Sequence, residues 1–329
     1  MTNDEGKHSG IRHSCFVISP MHLGYNTNGL AHHDLFEAVE LLAEIGYRGV
    51  AITIDHNALP PHGPHARQRT QRLRRLLERL GMRSVIETGA RYLLDPRVKH
   101  EPTLLSEDRR RRIDFYKYAV DCAAELGSDC VSLWSGVLHE PISRQQAMDR
   151  LAAGLGEVVD YAAQHGVPVG FEPEPGMLID SLRAFEALLA RIDAPNLRLT
   201  LDVGHLQCQS EMSVLVAQPP SAVSDDPHSR GRLCHVLEQR LVNVHIEDMC
   251  GGKHEHLMFG EGEIDFPPVL QTLADVGYTG GVYVELSRHS HEGPAAAQRA
   301  FEFLTKMSSP CQNPSSSFPF PPCVKKTWP

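Results

Sequence analysis

Eight short apolar runs, rich in branched and aromatic side chains, recur along this chain with room for one helix between neighbours. They are Cys15 to Met21, Gly49 to Asp55, Arg83 to Thr88, Cys130 to Trp134, Val167 to Glu172, Arg198 to Asp202, Leu241 to Ile246 and Gly281 to Leu286. Little polar alternation interrupts them, which suits parallel strands covered on both faces. The segments between carry apolar residues at helical spacing. Asp34 to Ile45 puts Leu35, Ala38, Val39 and Leu42 on one face, and Gln71 to Leu80 does the same with Leu73, Leu76, Leu77 and Leu80. Ile113 to Leu126, Met148 to Gln164, Leu182 to Ile192, Pro267 to Val276 and Ala295 to Leu304 complete the set. Gly46, Gly81, Gly127, Gly166 and Gly277 each close a helical segment just before a strand, where a helix C-cap glycine belongs. The pattern predicts an α/β fold, a single-domain (β/α)8 TIM barrel, with an open doubly wound sheet as the alternative.

The 329 residues suit one barrel of roughly 250 residues with additions. Two segments fall outside the repeat. Residues 217–232, with Gln218-Pro219-Pro220-Ser221 and Asp225-Asp226-Pro227-His228-Ser229, read as a low-complexity surface insertion in the sixth unit. Residues 308–329 are rich in Ser and Pro and read as a disordered tail. With residues 1–13 as a flexible N-terminus, the barrel is expected over 14–307. The first ten residues are polar and lack a signal-like apolar core. No apolar stretch approaches the roughly 18 residues of a membrane span. A cytoplasmic protein with no membrane partner is expected. The net charge of −9 argues against a nucleic-acid partner, which calls for a basic face. The run Arg109-Arg110-Arg111-Arg112 reads as a solvated helix face. The eight cysteines contain no CxxC pair and read as scattered buried thiols. The oligomeric state is left open, with a homodimer compatible.

Four strand ends carry chemistry. Glu172 ends Val169-Gly170-Phe171-Glu172, Asp202 ends Leu199-Thr200-Leu201-Asp202, His245 ends Val242-Asn243-Val244-His245 and Glu285 ends Val282-Tyr283-Val284-Glu285. Strand ends of a parallel barrel converge on its C-terminal face, where two Glu, one Asp and one His make a divalent-metal cage. A lone carboxylate ending an apolar strand must be solvated, paired or metal-bound. Asp202 could instead cap the next helix, and Gly204 would allow a tight exit that returns His205 to the same mouth. Glu174, beyond Pro173, reads as a substrate contact or a supporting group. Asp248, His254 and His256 place three polar groups in the loop above the metal, with Gly260 and Gly262 letting that loop fold back. Loop histidines are more often simply solvated. Earlier loops add His56, Lys99 and His100, and Glu87 with Arg91. Glu87 is as compatible with an internal ion pair to Arg91 as with a substrate role. Trp134 could wall the pocket or belong to the core.

Glu172, Asp202-x-x-His205, His245 and Glu285 resemble the metal-site pattern of the xylose isomerase-like barrel superfamily, over about Ser14 to Leu304. That group includes sugar and keto-sugar epimerases, hydroxypyruvate isomerase, inosose dehydratase and the endonuclease IV group. The resemblance implies that Glu172, Asp202, His245 and Glu285 bind one divalent ion, that Glu172 and Glu285 also move protons, and that His205 touches substrate. The Arg that epimerases carry after the metal His has no counterpart here, since Asp248-Met249-Cys250 stands in that place. In the endonuclease branch, a second metal would fall near His254 and His256, and His56 would be one further candidate ligand.

The expected function is a divalent-metal-dependent isomerase or epimerase of a sugar or keto-sugar-like substrate. It would work by proton transfer next to a carbonyl through a metal-stabilised enediolate. Return of the proton to the same carbon gives epimerisation, return to its neighbour gives isomerisation, and loss of a β-hydroxyl gives dehydration of an inosose-type substrate. Two further readings are endonuclease IV-like DNA repair and a non-catalytic sugar-binding barrel that keeps a structural metal. An oxygen-dominated set with one His favours Mn²⁺ or Mg²⁺, with Co²⁺ or Zn²⁺ open.

Overall fold

The computed structural model describes residues 21–63, 65–216 and 236–307. The expected flexible N-terminus, residues 15–20 of the expected first strand, the 217–232 insertion and the tail from 308 lie outside the described residues. Eight parallel strands close into a barrel in sequence order. They are β1 (His22–Asn26), β2 (Gly49–Thr53), β3 (Arg83–Glu87), β4 (Val131–Leu133), β5 (Val169–Phe171), β6 (Leu197–Asp202), β7 (Leu241–Ile246) and β8 (Gly281–Val284). The helices between them are α1 (Leu35–Ile45), α2 (Ala66–Leu80), α3 (Arg110–Leu126), α4 (Arg144–Gln164) and α5 (Leu182–Leu189). Short α6 (Val203–Cys208) and α7 (Met212–Leu215) follow β6, then come α8 (Phe266–Asp275) and α9 (Gly293–Met307). No helix among the described residues is long and apolar enough to cross a membrane.

The first strand is the one element placed wrongly from sequence. It is His22–Asn26, where His22 to Tyr25 pair with Gly281 to Val284 of β8. The 15–21 run is the more apolar of the two in sequence. A barrel strand that turns Gly24 and Asn26 inward does not look apolar throughout. The five helix-ending glycines all adopt the left-handed φ that their position requires, from +63° at Gly81 to +123° at Gly46.

The main core lies between the outer face of the barrel and the helices, with Val39, Leu73, Tyr116, Leu155 and Phe185 fully buried there. A smaller cluster of Ala51, Val85, Cys130 and Tyr283 fills the lower interior. Gly24, Gly49 and Gly281 make room for the Tyr283 ring, since a Cβ at any of them would collide with it. Above this plug the inward positions turn polar. Thr200 donates to Ser132 across the lumen at 3.1 Å, and Glu87 lies beside Ser132 in the β3–β4 register. The interior is thus apolar and filled below, and polar towards the C-terminal mouth. Among the described cysteines Cys122, Cys130 and Cys208 are free, as expected. Cys250 departs from that expectation, being disulfide-bonded.

The arginine run divides in two. Arg110 pairs with Glu157 on the surface at 3.0 Å, but Arg112 is wholly buried rather than solvated. Its guanidinium donates to the carbonyls of Pro102 at 2.7 Å, Thr88 at 3.2 Å and His100 at 2.6 Å. It also lies 5.1 Å from the Trp134 ring centre. Three carbonyls facing inward need a donor, and only a long cation on α3 reaches all of them. This side chain therefore shapes the long loop between β3 and α3. Arg112→Met should destabilise the protein by roughly 3 kcal/mol or more, since three buried acceptors lose their partner. Urea denaturation checks this, and a loss below about 1 kcal/mol would mean that water replaces the guanidinium.

Candidate metal centre and active-site cavity

Side chains two residues apart on a strand share a face. The inward series Asn243–His245 on β7, Thr200–Asp202 on β6 and Val85–Glu87 on β3 therefore rise from the barrel interior to its mouth. Glu172 directly follows β5, and Glu285 directly follows β8. Pairing of β6 with β7 sets Asp202 beside His245. Donor atoms of Glu172, Asp202, His245 and Glu285 all lie within 4.8 Å of one another. Glu172, His245 and Glu285 line the floor of a cavity of about 740 Å³, and Asp202 is buried beside them.

His245 organises this floor. Its Nδ1 lies 3.1 Å from Glu172 Oε1 and 3.0 Å from Glu285 Oε2. Its Nε2 lies 2.9 Å from Glu87 Oε1. Asn243 Nδ2 donates to the same Glu87 oxygen at 3.1 Å. An Nε2–H donated to Glu87 leaves Nδ1 for the other carboxylates, the arrangement in which a metal-binding imidazole is oriented by a carboxylate behind it. Glu87 is therefore tied to His245 and makes no ion pair with Arg91. Burial opposes charge on His245, but Glu87, Glu172 and Glu285 outweigh it and hold the imidazole pKa well above its ordinary value. Burial pushes the Glu172 carboxyl up to about 8. Burial acts the same way on Glu285, yet His245, His256 and the amide of Asn28 overcome it and hold that carboxyl far below the usual range.

The two carboxylate oxygens of Asp202 differ. Oδ1 accepts the His205 N–H at 2.8 Å, capping α6, while buried Oδ2 has no hydrogen-bond partner. Capping and metal binding, alternatives in the sequence, are thus compatible. An orphaned carboxylate oxygen facing two glutamates and an imidazole fits a divalent cation. Gly204 sits inside α6 in an ordinary helical conformation, so it is not there to make a tight exit. A Cβ there would overlap Glu247 and Met249. Glu247 is wholly buried, and both of its carboxylate oxygens lack a hydrogen-bond partner.

A second group stands higher. Glu174, His205 and His254 offer donor atoms within 4.8 Å of one another. His205 Nδ1 contacts the Pro173 carbonyl at 3.1 Å, which turns Nε2 towards His254 Nε2, also at 3.1 Å. His256 stays outside this group, because its Nδ1 contacts the Glu285 carbonyl at 3.1 Å. Arg91 and Trp134 line the same cavity, and Trp134 is at once a wall and largely buried. Two expected substrate contacts do not belong. His56 is exposed and lines a neighbouring side pocket. Asp248 is buried and accepts the backbone N–H groups of Met249, Gly260, Gly262 and Ile264, so it folds the loop after β7 instead of facing the cavity. Sequence reasoning missed Asn243, two residues before His245 on its face of β7, and Glu247, two residues after it and just beyond the strand. It also missed Asn28, whose amide donates to Glu285 at 2.8 Å.

A family model of xylose isomerase-like TIM barrels matches residues 39–307. The chain belongs to this family. It is 27% identical over 182 residues to an uncharacterized protein of Methanocaldococcus jannaschii, covering 54% of this chain and 57% of that one. It is 23% identical over 269 residues to L-ribulose-5-phosphate 3-epimerase UlaE of Shigella flexneri, covering 79% and 84%. Two solved structures share the fold. A D-tagatose 3-epimerase-like protein has TM-score 0.64 and 22% identity over 88% of this chain and all of that one. The IolI protein with a bound zinc atom has TM-score 0.65 and 18% identity over 88% and 98%.

A divalent ion entering the floor must displace protons from His245 and, below about pH 8, from Glu172. Binding should therefore release at least one proton per ion, and apparent affinity should rise by up to roughly tenfold per pH unit for each proton released. Calorimetry in buffers of different ionisation enthalpy reads this directly. A heat independent of buffer would contradict a protonated His245.

Proposed function

We propose that this protein is a divalent-metal-dependent isomerase or epimerase of a ketose-like substrate. The observation that carries this reading is the convergence of Glu172 and Glu285, from strands β5 and β8, on the same nitrogen of His245. Two carboxyl groups from different strands then share one centre. Such a pair can remove a proton from carbon on one side and return it from the other.

Glu172, Asp202, His245 and Glu285 would hold the ion. When bound, it supplies Lewis acidity that lowers the cost of negative charge on the substrate's carbonyl and hydroxyl oxygens. The remaining work falls to the chain. One of Glu172 and Glu285, the latter fixed by Asn28, removes the proton from carbon and the other returns one. His256 turns Nδ1 to the Glu285 carbonyl, leaving its other ring nitrogen to contact substrate hydroxyls, and the His205–His254 pair, whose Nε2 atoms meet at 3.1 Å, would contact substrate from the same cavity. Trp134 narrows one wall against water. The donor set favours Mn²⁺ or Mg²⁺, and the zinc of IolI keeps Zn²⁺ open. The relatives' names support a ketose. They include both a phosphorylated and an unphosphorylated sugar, so they leave the far end of the substrate undecided. Dehydration of an inosose-type substrate is the alternative outcome of the same proton removal. The Glu174–His205–His254 group favours one further reading, a two-ion site. Two ions per chain in the wild type, with one lost in His254→Ala, would establish it.

Glu172→Gln and Glu285→Gln should each reduce exchange of solvent deuterium into a ketose by roughly 10²–10⁴-fold. The measurement is proton NMR on protein whose metal content has been matched to wild type. Near-wild-type exchange in either metal-loaded variant would remove that residue from the mechanism.

A further inference from the structure

The floor of the cavity is acidic, but its rim is not. Arg91 and Lys99 line the same cavity, and neither side chain forms an ion pair or hydrogen bond among the described residues. Both belong to the loop between β3 and α3, whose two limbs are stapled together. The His100 N–H donates to the Arg91 carbonyl at 2.6 Å. The His100 ring nitrogen Nδ1 bonds the Gly89 carbonyl at 2.6 Å, and the ring packs edge-on against Trp134 at 5.3 Å. This stitching sets Lys99 next to Arg91. Arg112 braces the loop from below through the carbonyls of Thr88, His100 and Pro102.

The backbone bends sharply to achieve this. Ala90 and His100 both take left-handed conformations, with φ of +50° and +67°, which non-glycine residues adopt at a cost. Each lies directly beside one of the two cations. The carboxylates below are already engaged, Glu87 by His245 and Asn243, and Glu285 by His245 and Asn28. Two unpaired cations on a rigid, strained loop above a polar cavity make a site for an anionic oxygen group. A guanidinium offers paired donors to such a group, and an ammonium adds a point charge.

We infer that Arg91 and Lys99 form an anion subsite for the end of the substrate remote from the reacting carbons. The substrate class is then a polyhydroxylated keto compound bearing a terminal phosphate or carboxylate, not a neutral sugar. The isomerase reading supplies which end reacts, and the subsite depends on it in that respect alone. The subsite can be tested without turnover, because compounds lacking a carbonyl bind but do not react.

The experiment is calorimetric binding of ribitol, ribitol 5-phosphate and ribonate to the metal-loaded protein. In the wild type at least one anionic compound should bind about tenfold or more tightly than ribitol, and the advantage should shrink as salt is raised. Tighter binding of ribitol 5-phosphate identifies a phosphate subsite, and tighter binding of ribonate a carboxylate one. The advantage should vanish in the Arg91→Gln/Lys99→Gln double variant and survive in part in Arg91→Lys. Equal binding of all three compounds, or an advantage undiminished in the double variant, would overturn the subsite and leave the two cations as a solvated rim. If the anion preference holds but no ketose exchanges its proton, the subsite stands and the isomerase reading falls. Exchange without the preference has the opposite meaning.

Discussion

His245 stands between Glu87 on one ring nitrogen and Glu172 and Glu285 on the other, and the mouth of the barrel is arranged around that contact. Several carboxylates brought out of water at one place repel one another, and each would tend to take up a proton. One protonated imidazole relieves part of this charge. It leaves one buried carboxylate oxygen, Asp202 Oδ2, without a hydrogen-bond partner. A divalent cation is the group of matching charge and size.

The barrel makes such a concentration of charge tolerable by keeping it away from the core. Tyr283, wedged among three inward glycines, closes the lumen below, so the acidic layer rests on a packed floor. The main core lies outside the strands and loses nothing to the polarity within. Loop shape is then imposed by two buried charged side chains that contact backbone. Arg112 gathers carbonyls of the loop after β3, and Asp248 gathers N–H groups of the loop after β7. Each satisfies several buried backbone groups that would otherwise be unpaired, which is how long irregular loops can sit rigidly over a cavity.

The cavity that results has two electrical ends. Its floor collects carboxylates suited to a cation and to proton transfer, and its rim presents the unpaired charges of Arg91 and Lys99. A substrate lying between them would have its orientation decided by charge before any hydroxyl is recognised.

The order of the eight units, the helices between them and the four strand-end residues were legible in the sequence, because all of them follow from local rules. Strand and helix periods decide which residues share a face, and a parallel barrel brings its strand ends together whatever the loops do. Gly46 and Gly81 were readable for the same reason, since a helix end makes its own demand on φ. The roles of Glu87, Asp248, Arg112 and Gly204 were not. Each depends on a contact that no local period specifies: Glu87 with His245, Asp248 with the backbone at Gly260 and Gly262, Arg112 with the loop after β3, and Gly204 with Glu247. A carboxylate read alone looks like a ligand, and an arginine in a basic run looks solvated. Only the closed barrel, which fixes the neighbours of each side chain, decides whether that charge is spent on backbone, on another side chain, or left free for a ligand.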